Sequence, residues 1–193
     1  MKNTKSFTIF AGVNGAGKST LYGSEIQSEL GIRLNSDEML HAAGLDWKDP
    51  NAQYETGKRL LFLQKECLKE GKTFNQETTL CGNTILLAIK QAKELGYTIH
   101  LRYVGVNSPK IAKERVAKRI ALGGHGVPND TIERRFVTSK ENFVKIYPLC
   151  DTVNIFDNSG DEMLLVASMI NGKLERTPVK CIWADELISK LNI

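Results

Sequence analysis

Gly12-Val13-Asn14-Gly15-Ala16-Gly17-Lys18-Ser19 satisfies G-x-x-x-x-G-K-[ST] at every position, and its flanks fit as well. Residues 6–13 are apolar and rich in β-formers, and residues 18–30 read as a helix. A strand, a glycine loop and a helix in that order hold phosphate for physical reasons. Glycines let the backbone aim several N–H groups inward, and the helix N-terminus adds partial positive charge. The lysine then bridges terminal phosphates and the hydroxyl ligates Mg²⁺. The expected nucleotide-binding set is Gly12, Asn14, Gly15, Ala16, Gly17, Lys18, Ser19 and Thr20, with ATP and Mg²⁺ as ligands and Ser19 on the metal. A dinucleotide fingerprint is not met, because Gly15-Ala16-Gly17 is not continued as G-x-G-x-x-G. The chain also lacks N-K-x-D, the pattern that reads guanine, so the base is adenine or unselected.

Beyond the loop, strand and helix patterns alternate. Strands are expected at 33–36, 73–77, 97–104 and 152–156, and helices at 51–70, 84–95, 108–122 and 131–146. Leu60, Leu63 and Cys67 share one helix face, and Gly96 stops the helix before it. Ser108-Pro109 has the form of a helix start, and Asp130 with Glu133 the form of a capping box. Asn171-Gly172 is a hairpin dipeptide between 164–170 and 173–175, and 183–191 closes the chain as a helix. The expectation is an α/β P-loop NTPase three-layer fold. It has a mainly parallel sheet, helices on both faces, and a C-terminal β-hairpin and helix. Since 193 residues are cramped for two domains, residues 1–193 are expected to form a single P-loop kinase-like domain.

Composition narrows the partners. No apolar run approaches a bilayer span, and the stretch after Lys2 and Lys5 is too short for a signal core. No membrane partner is expected, and the location is cytoplasmic. Cys67, Cys81, Cys150 and Cys181 are scattered without C-x-x-C, which points to free thiols rather than zinc or disulfides. The net charge is +4, but residues 109–140 carry +5, with eight basic residues against three acidic ones. A local basic segment suits a polyphosphate, whereas a nucleic-acid binder spreads charge over a face.

Several residues have the chemistry for transfer. Asp37 follows a short strand, where a carboxylate accepts a hydroxyl proton or holds Mg²⁺ through water; a helix N-cap explains it equally well. Glu77, followed by Thr78 and Thr79, ends a strand and either positions substrate or is a plain strand-to-loop junction. Arg115 and Arg119 share a helix face and suit a migrating phosphoryl group, against the default of a solvated basic face. Residues 123–128, Gly-Gly-His-Gly-Val-Pro, form a hinge-like turn in which His125 contacts phosphate or is incidental. Arg134 and Arg135 diverge on a helix, so at most one faces a site. Tyr22, Trp47, Tyr54 and Phe62 are expected to pack, and Asp157-Asn158-Ser159-Gly160 borders the adenine or is a plain turn.

Taken in order, the loop extended by Thr20, Asn35-Ser36-Asp37, Glu77-Thr78-Thr79 and the 123–128 turn resemble the zeta-toxin family, over roughly residues 5–160. The likeness is greatest to its short, predicted-ATPase branch. The resemblance implies a bacterial P-loop kinase that phosphorylates a small-molecule acceptor, with UDP-N-acetylglucosamine the leading candidate, and that has an antitoxin protein as partner. It implies Asp37 as general base, Lys18 and Ser19 on Mg·ATP, Glu77 and Thr78 on the acceptor side, and Arg119 as the first phosphate-contacting arginine, with Arg115 the fallback. His125 stands two residues before Val127-Pro128, where the family's toxins carry a second arginine; His125, Arg134 or Arg135 then takes that place. Two other functions are consistent with the residues: a nucleotide-governed binding module, and a kinase of nucleic-acid ends, which the localised charge argues against.

Overall fold

A computed structural model describes residues 5–191; Lys2 lies outside them. Seven strands form one sheet in the order β2-β3-β1-β4-β5-β6-β7. The strands are β1 (Ser6–Ala11), β2 (Ile32–Leu34), β3 (Phe74–Thr78), β4 (Thr98–Gly105), β5 (Thr152–Asp157), β6 (Leu164–Ile170) and β7 (Lys173–Arg176). The first five pair in parallel, while β6 and β7 add an antiparallel hairpin at the edge. The mainly parallel sheet and the terminal hairpin are as the sequence pattern implied.

The helices are α1 (Lys18–Ser24), α2 (Gln27–Leu30), α3 (Ser36–Ala42), α4 (Pro50–Lys69), α5 (Asn83–Glu94), α6 (Pro109–Ala121), α7 (Asn129–Ile146) and α8 (Ile182–Ile188). β1 is buried from Phe7 to Ala11 because both of its faces are covered. Phe7, Ile9 and Ala11 enter one core, where Phe7 stacks on Phe74 at 4.2 Å and Ile85, Ile89, Phe143 and Trp183 also pack. Phe10 turns the other way, towards Val13, Leu21, Val104, Val116 and Ile132. That second core lies directly under the glycine loop, so packing beneath the loop fixes its place.

Two boundaries and two caps differ from expectation. The helix foreseen at 18–30 is two short helices. Glu25 is extended, Gly23 is a weak helix former, and the Ser24 hydroxyl donates to the Leu21 carbonyl at 2.8 Å. The strand foreseen at 33–36 ends at Leu34, because Asn35 caps α3 instead. The Asp130/Glu133 capping box does not form. α7 starts at Asn129 without a side-chain cap, and Glu133 pairs with Lys113 at 2.7 Å. The Ser108 hydroxyl makes no cap bond either; Pro109 at the first turn sets the start of α6. Among the described residues no helix is long and apolar enough to cross a membrane. The four cysteines are free, and burial pushes all four thiols up.

Candidate active site

The carboxyl ends of β1, β3 and β4 meet at the centre of the sheet, where the order of connections reverses, and the glycine loop leaves β1 there. Two glycines are required by close approach. Gly15 has φ 79° and a Cβ would lie 2.4 Å from the Ala112 carbonyl oxygen of α6. Gly17 has φ 106° and a Cβ would lie 2.3 Å from Asn158 Nδ2. The loop is therefore pressed against α6 on one side and the 157–160 turn on the other.

That turn is a tie. Asn158 Nδ2 donates to the Ala16 carbonyl at 2.7 Å, while Arg115 donates to the carbonyls of Asn158 (2.7 Å) and Gly160 (3.2 Å). Arg115 is thus held by backbone oxygens rather than forming part of a solvated face. Arg119 donates from Nε to the His125 carbonyl at 2.7 Å. Its Nη2 is the buried side-chain nitrogen without a partner among the described residues. A buried guanidinium N–H with nothing to bond is costly unless a ligand oxygen meets it.

Glu77, at the end of β3, gathers the cations. Its Oε2 accepts from Ser19 Oγ (2.9 Å), Arg33 Nη2 (2.7 Å) and Asn35 Nδ2 (3.1 Å), and its Oε1 lies 3.6 Å from Lys18 Nζ. Burial alone would raise its pKa. Lys18, Arg33 and the two hydrogen bonds outweigh that and hold the carboxyl below the usual range. Arg33 also bonds Glu38 and Asn75, and its guanidinium lies 3.8 Å over the Tyr22 ring. Lys18 is buried and donates to the Val13 carbonyl at 3.2 Å.

Asp37 lies in the first turn of α3 but does not cap it. Asn35 does, accepting from the backbone N–H groups of Asp37 (2.9 Å) and Glu38 (3.3 Å). The Asp37 carboxylate is thereby left free of capping, and its Oδ2 sits 3.3 Å from His125 Nδ1. Burial, opposed by Asp37 but reinforced by Arg119, Lys18 and Arg135, pushes the His125 pKa down, so the ring is neutral at pH 7. Arg135 donates to Asn14 Oδ1 at 2.8 Å, tying α7 to the loop, whereas Arg134 is exposed at the cleft rim.

Two cavities flank this cluster. The smaller, about 300 Å³, is bounded by Gly15, Gly17, Ser19, Thr20, Arg115, Arg119 and Asn158. The larger, about 730 Å³, is bounded by Asp37, Trp47, Tyr54, Gln76, Thr78, His125 and Arg134, among others. Lys18 and Glu77 line both, so the cavities meet at these two side chains. Ser19 and Glu77 place two hard oxygens side by side at the loop, a donor set that suits Mg²⁺. The expectation that Tyr54 and Phe62 are packing residues fails: both are more than half exposed, because α4 turns these positions away from the sheet. Trp47, ahead of α4, packs edge-on to His125 with ring centroids 6.1 Å apart, and with Tyr54 it lines the larger cavity. Tyr22 does pack, edge-on to Phe10 at 5.6 Å. Sequence reasoning missed Arg33 and Asn35. Their signals were a lone cation in a short strand and an Asn ahead of Ser36-Asp37-Glu38, a helix-start pattern.

No family model matches the chain. An uncharacterized protein of Haemophilus influenzae is 34% identical over 137 residues, covering 70% of this chain and 94% of that protein. Among solved structures, the AvrRxo1-ORF1:AvrRxo1-ORF2 complex with sulphate aligns with a TM-score of 0.71 at 15% identity, over 97% of this chain and 64% of that one. The same complex with ATP gives 0.69 at 16%, over 97% and 63%. This chain thus spans slightly less than two thirds of that chain's length. The PezAT chromosomal toxin–antitoxin system of Streptococcus pneumoniae gives 0.56 at 16%, over 84% and 72%. At these identities the likeness establishes the fold alone, a P-loop α/β fold with a mainly parallel sheet.

Proposed function

Since this chain belongs to one family with the Haemophilus influenzae protein and shares the fold of the AvrRxo1 and PezAT structures, we propose that it is a zeta-toxin-like, ATP-dependent phosphotransferase acting on a hydroxyl of a small molecule. The observation that carries this reading is the meeting of two cavities at Lys18 and Glu77, with Asp37 on the larger side and the glycine loop on the smaller. A γ-phosphate held by the loop lies where an acceptor in the larger cavity reaches it.

In this reading the loop amides and Lys18 hold the ATP phosphates, and Arg119 Nη2 finds its missing acceptor on a phosphate oxygen. Ser19 and Glu77 would hold Mg²⁺, which supplies neutralisation of phosphate charge. Asp37 takes the proton of the acceptor hydroxyl as the acceptor oxygen bonds to the γ-phosphorus. The bond to the bridging oxygen breaks and ADP leaves. Arg115, bound to the 157–160 turn, holds the wall of the nucleotide side rather than the reacting group. The larger cavity offers hydroxyl and amide groups (Thr56, Thr78, Gln76), two aromatic faces (Trp47, Tyr54) and cations at its rim (Lys58, Arg134). That lining supports a polyhydroxylated, negatively charged acceptor, with UDP-N-acetylglucosamine or a related sugar nucleotide as the leading candidate. The two-protein AvrRxo1 complex and the PezAT toxin–antitoxin system support an antitoxin-like protein as partner.

The test is a mass-spectrometric transfer assay with Mg·ATP and either UDP-N-acetylglucosamine or a bacterial metabolite extract. A phosphorylated product that disappears with Asp37→Asn is expected. ATP binding with no acceptor modified in either mixture would replace this reading with a nucleotide-governed binding module.

A further inference from the structure

We propose that His125 is a positioning residue for Asp37: its neutral imidazole, protonated at Nδ1, hydrogen-bonds Oδ2 and leaves Oδ1 to take the proton of the acceptor. The functional half of this statement rests on the phosphotransferase reading above; the contact itself does not.

The Asp37 carboxylate is nearly half exposed, at 42%, on the first turn of a short helix. His125 Nδ1, at 3.3 Å, is the one side-chain group paired with it among the described residues. Without that contact the side chain is free to change rotamer, and a misplaced base is a poor one. At 3.3 Å the two atoms are within reach but not aligned as a hydrogen bond, and catalytic contacts often tighten only when substrate binds.

The imidazole, by contrast, is tightly placed. Trp47 meets it edge-on, with ring centroids 6.1 Å apart. The His125 carbonyl is held by Arg119 Nε at 2.7 Å. Gly126 is wedged where a Cβ would lie 2.6 Å from Trp47 and 2.7 Å from Ile120, and Gly124 lies where a Cβ would be 2.6 Å from Arg119 Cγ. The turn from 123 to 128 is therefore pinned by α6 on one side and by Trp47 on the other, and His125 is delivered to Asp37 by its backbone.

The charges facing the ring are Asp37 on one side and Arg119, Lys18 and Arg135 on the other; burial and these cations favour the neutral form. Neutrality has a chemical use. A cation against Asp37 would orient it but would also stabilise its charged form and weaken it as a base. A neutral N–H orients the carboxylate at less expense to its basicity. A neutral imidazole has a single N–H, so the assignment also fixes the tautomer.

The deciding measurement is a long-range ¹H–¹⁵N correlation spectrum of the whole protein with ¹⁵N-labelled histidine at pH 7.5. The His125 signals are assigned by their loss in His125→Asn. A neutral ring protonated at Nδ1, whose signals move in Asp37→Ala, is expected. An Nε2-protonated ring, or signals unchanged in Asp37→Ala, overturns the proposal. In the transfer assay His125→Ala is expected to lower kcat of order tenfold, a fraction of the ~10²–10⁴ that a general base contributes, with KM for ATP unchanged. His125→Asn, whose amide nitrogen takes the place of Nδ1, recovers most of that loss; His125→Gln does not. Equal losses in Asn and Gln would refute the positioning role. Failure of the underlying reading has a different signature, no acceptor modified by the wild-type protein whatever the tautomer of His125.

Discussion

Replacing Glu77 by glutamine keeps its shape and removes its charge. Lys18, 6% exposed, would then have no counter-charge, while Arg33, 13% exposed, would keep only the half-exposed Glu38. Breaking a buried ion pair by removing one partner costs about 3–5 kcal/mol, and the partners Arg33 retains place this case at the lower end, about 3 kcal/mol. For a chain of this size that lowers the unfolding midpoint by roughly 6–12 °C. The assay is thermal unfolding at pH 7 of Glu77→Gln, Arg33→Met and the double variant. The cycle should return a coupling of about 2 kcal/mol, within the range measured for contacting residues. The pH dependence has a definite sign. The folded pKa of Glu77 lies below the ordinary value of about 4.3, so between the two the unfolded chain binds more protons. The contribution is complete above about 4.3 and is lost as pH falls through the folded value. The gap between wild type and Glu77→Gln should therefore narrow below pH ~4. A gap of less than about 2 °C at pH 7, or one that widens on acidification, would show that Glu77 is not the charge around which the site is assembled.

Three further outcomes follow from the geometry. Lys18→Ala should weaken ATP binding by about 2 kcal/mol or more, roughly thirtyfold, in isothermal titration calorimetry, since it deletes a charged donor to phosphate. Arg119→Lys should cut kcat roughly 10³-fold while ATP affinity changes far less, because a lysine cannot bond the His125 carbonyl from Nε and still present a second, fixed N–H to a phosphate. Gly15→Ala should destabilise the fold by about 1–3 kcal/mol from its positive φ alone, with the clash at Ala112 adding to it; unfolding midpoints and nucleotide titration both report it.

What could be read from the sequence was whatever a local pattern dictates. The glycine loop carries its own geometry, and β1 announces its burial by Phe7, Ile9, Phe10 and Ala11, so the first strand and the loop after it can be read from residues 6–19. The errors have a common cause, the meeting of distant segments. Glu77 attracts Lys18, Ser19, Arg33 and Asn35 from three different elements, and no spacing in the chain records that β2 and β1 flank β3. Asp37 was balanced between cap and chemistry because both uses place a carboxylate at the same step of the chain. The balance is broken only by Asn35, whose side chain takes the cap and leaves Asp37 to face the cleft. Tyr54 reads as a packing residue because an aromatic residue is far more often buried than displayed. α4 displays it instead, turning Ala52, Thr56 and Leu60 inward so that Tyr54 faces the large cavity. Pattern thus locates the glycine loop, whose shape is set by the backbone. The larger cavity is built from side chains of α3, α4, β3 and the 123–128 turn, and only the topology brings those together. Acceptor specificity should therefore respond to substitutions at Trp47 and Tyr54 that leave ATP binding unchanged, since neither residue touches the smaller cavity.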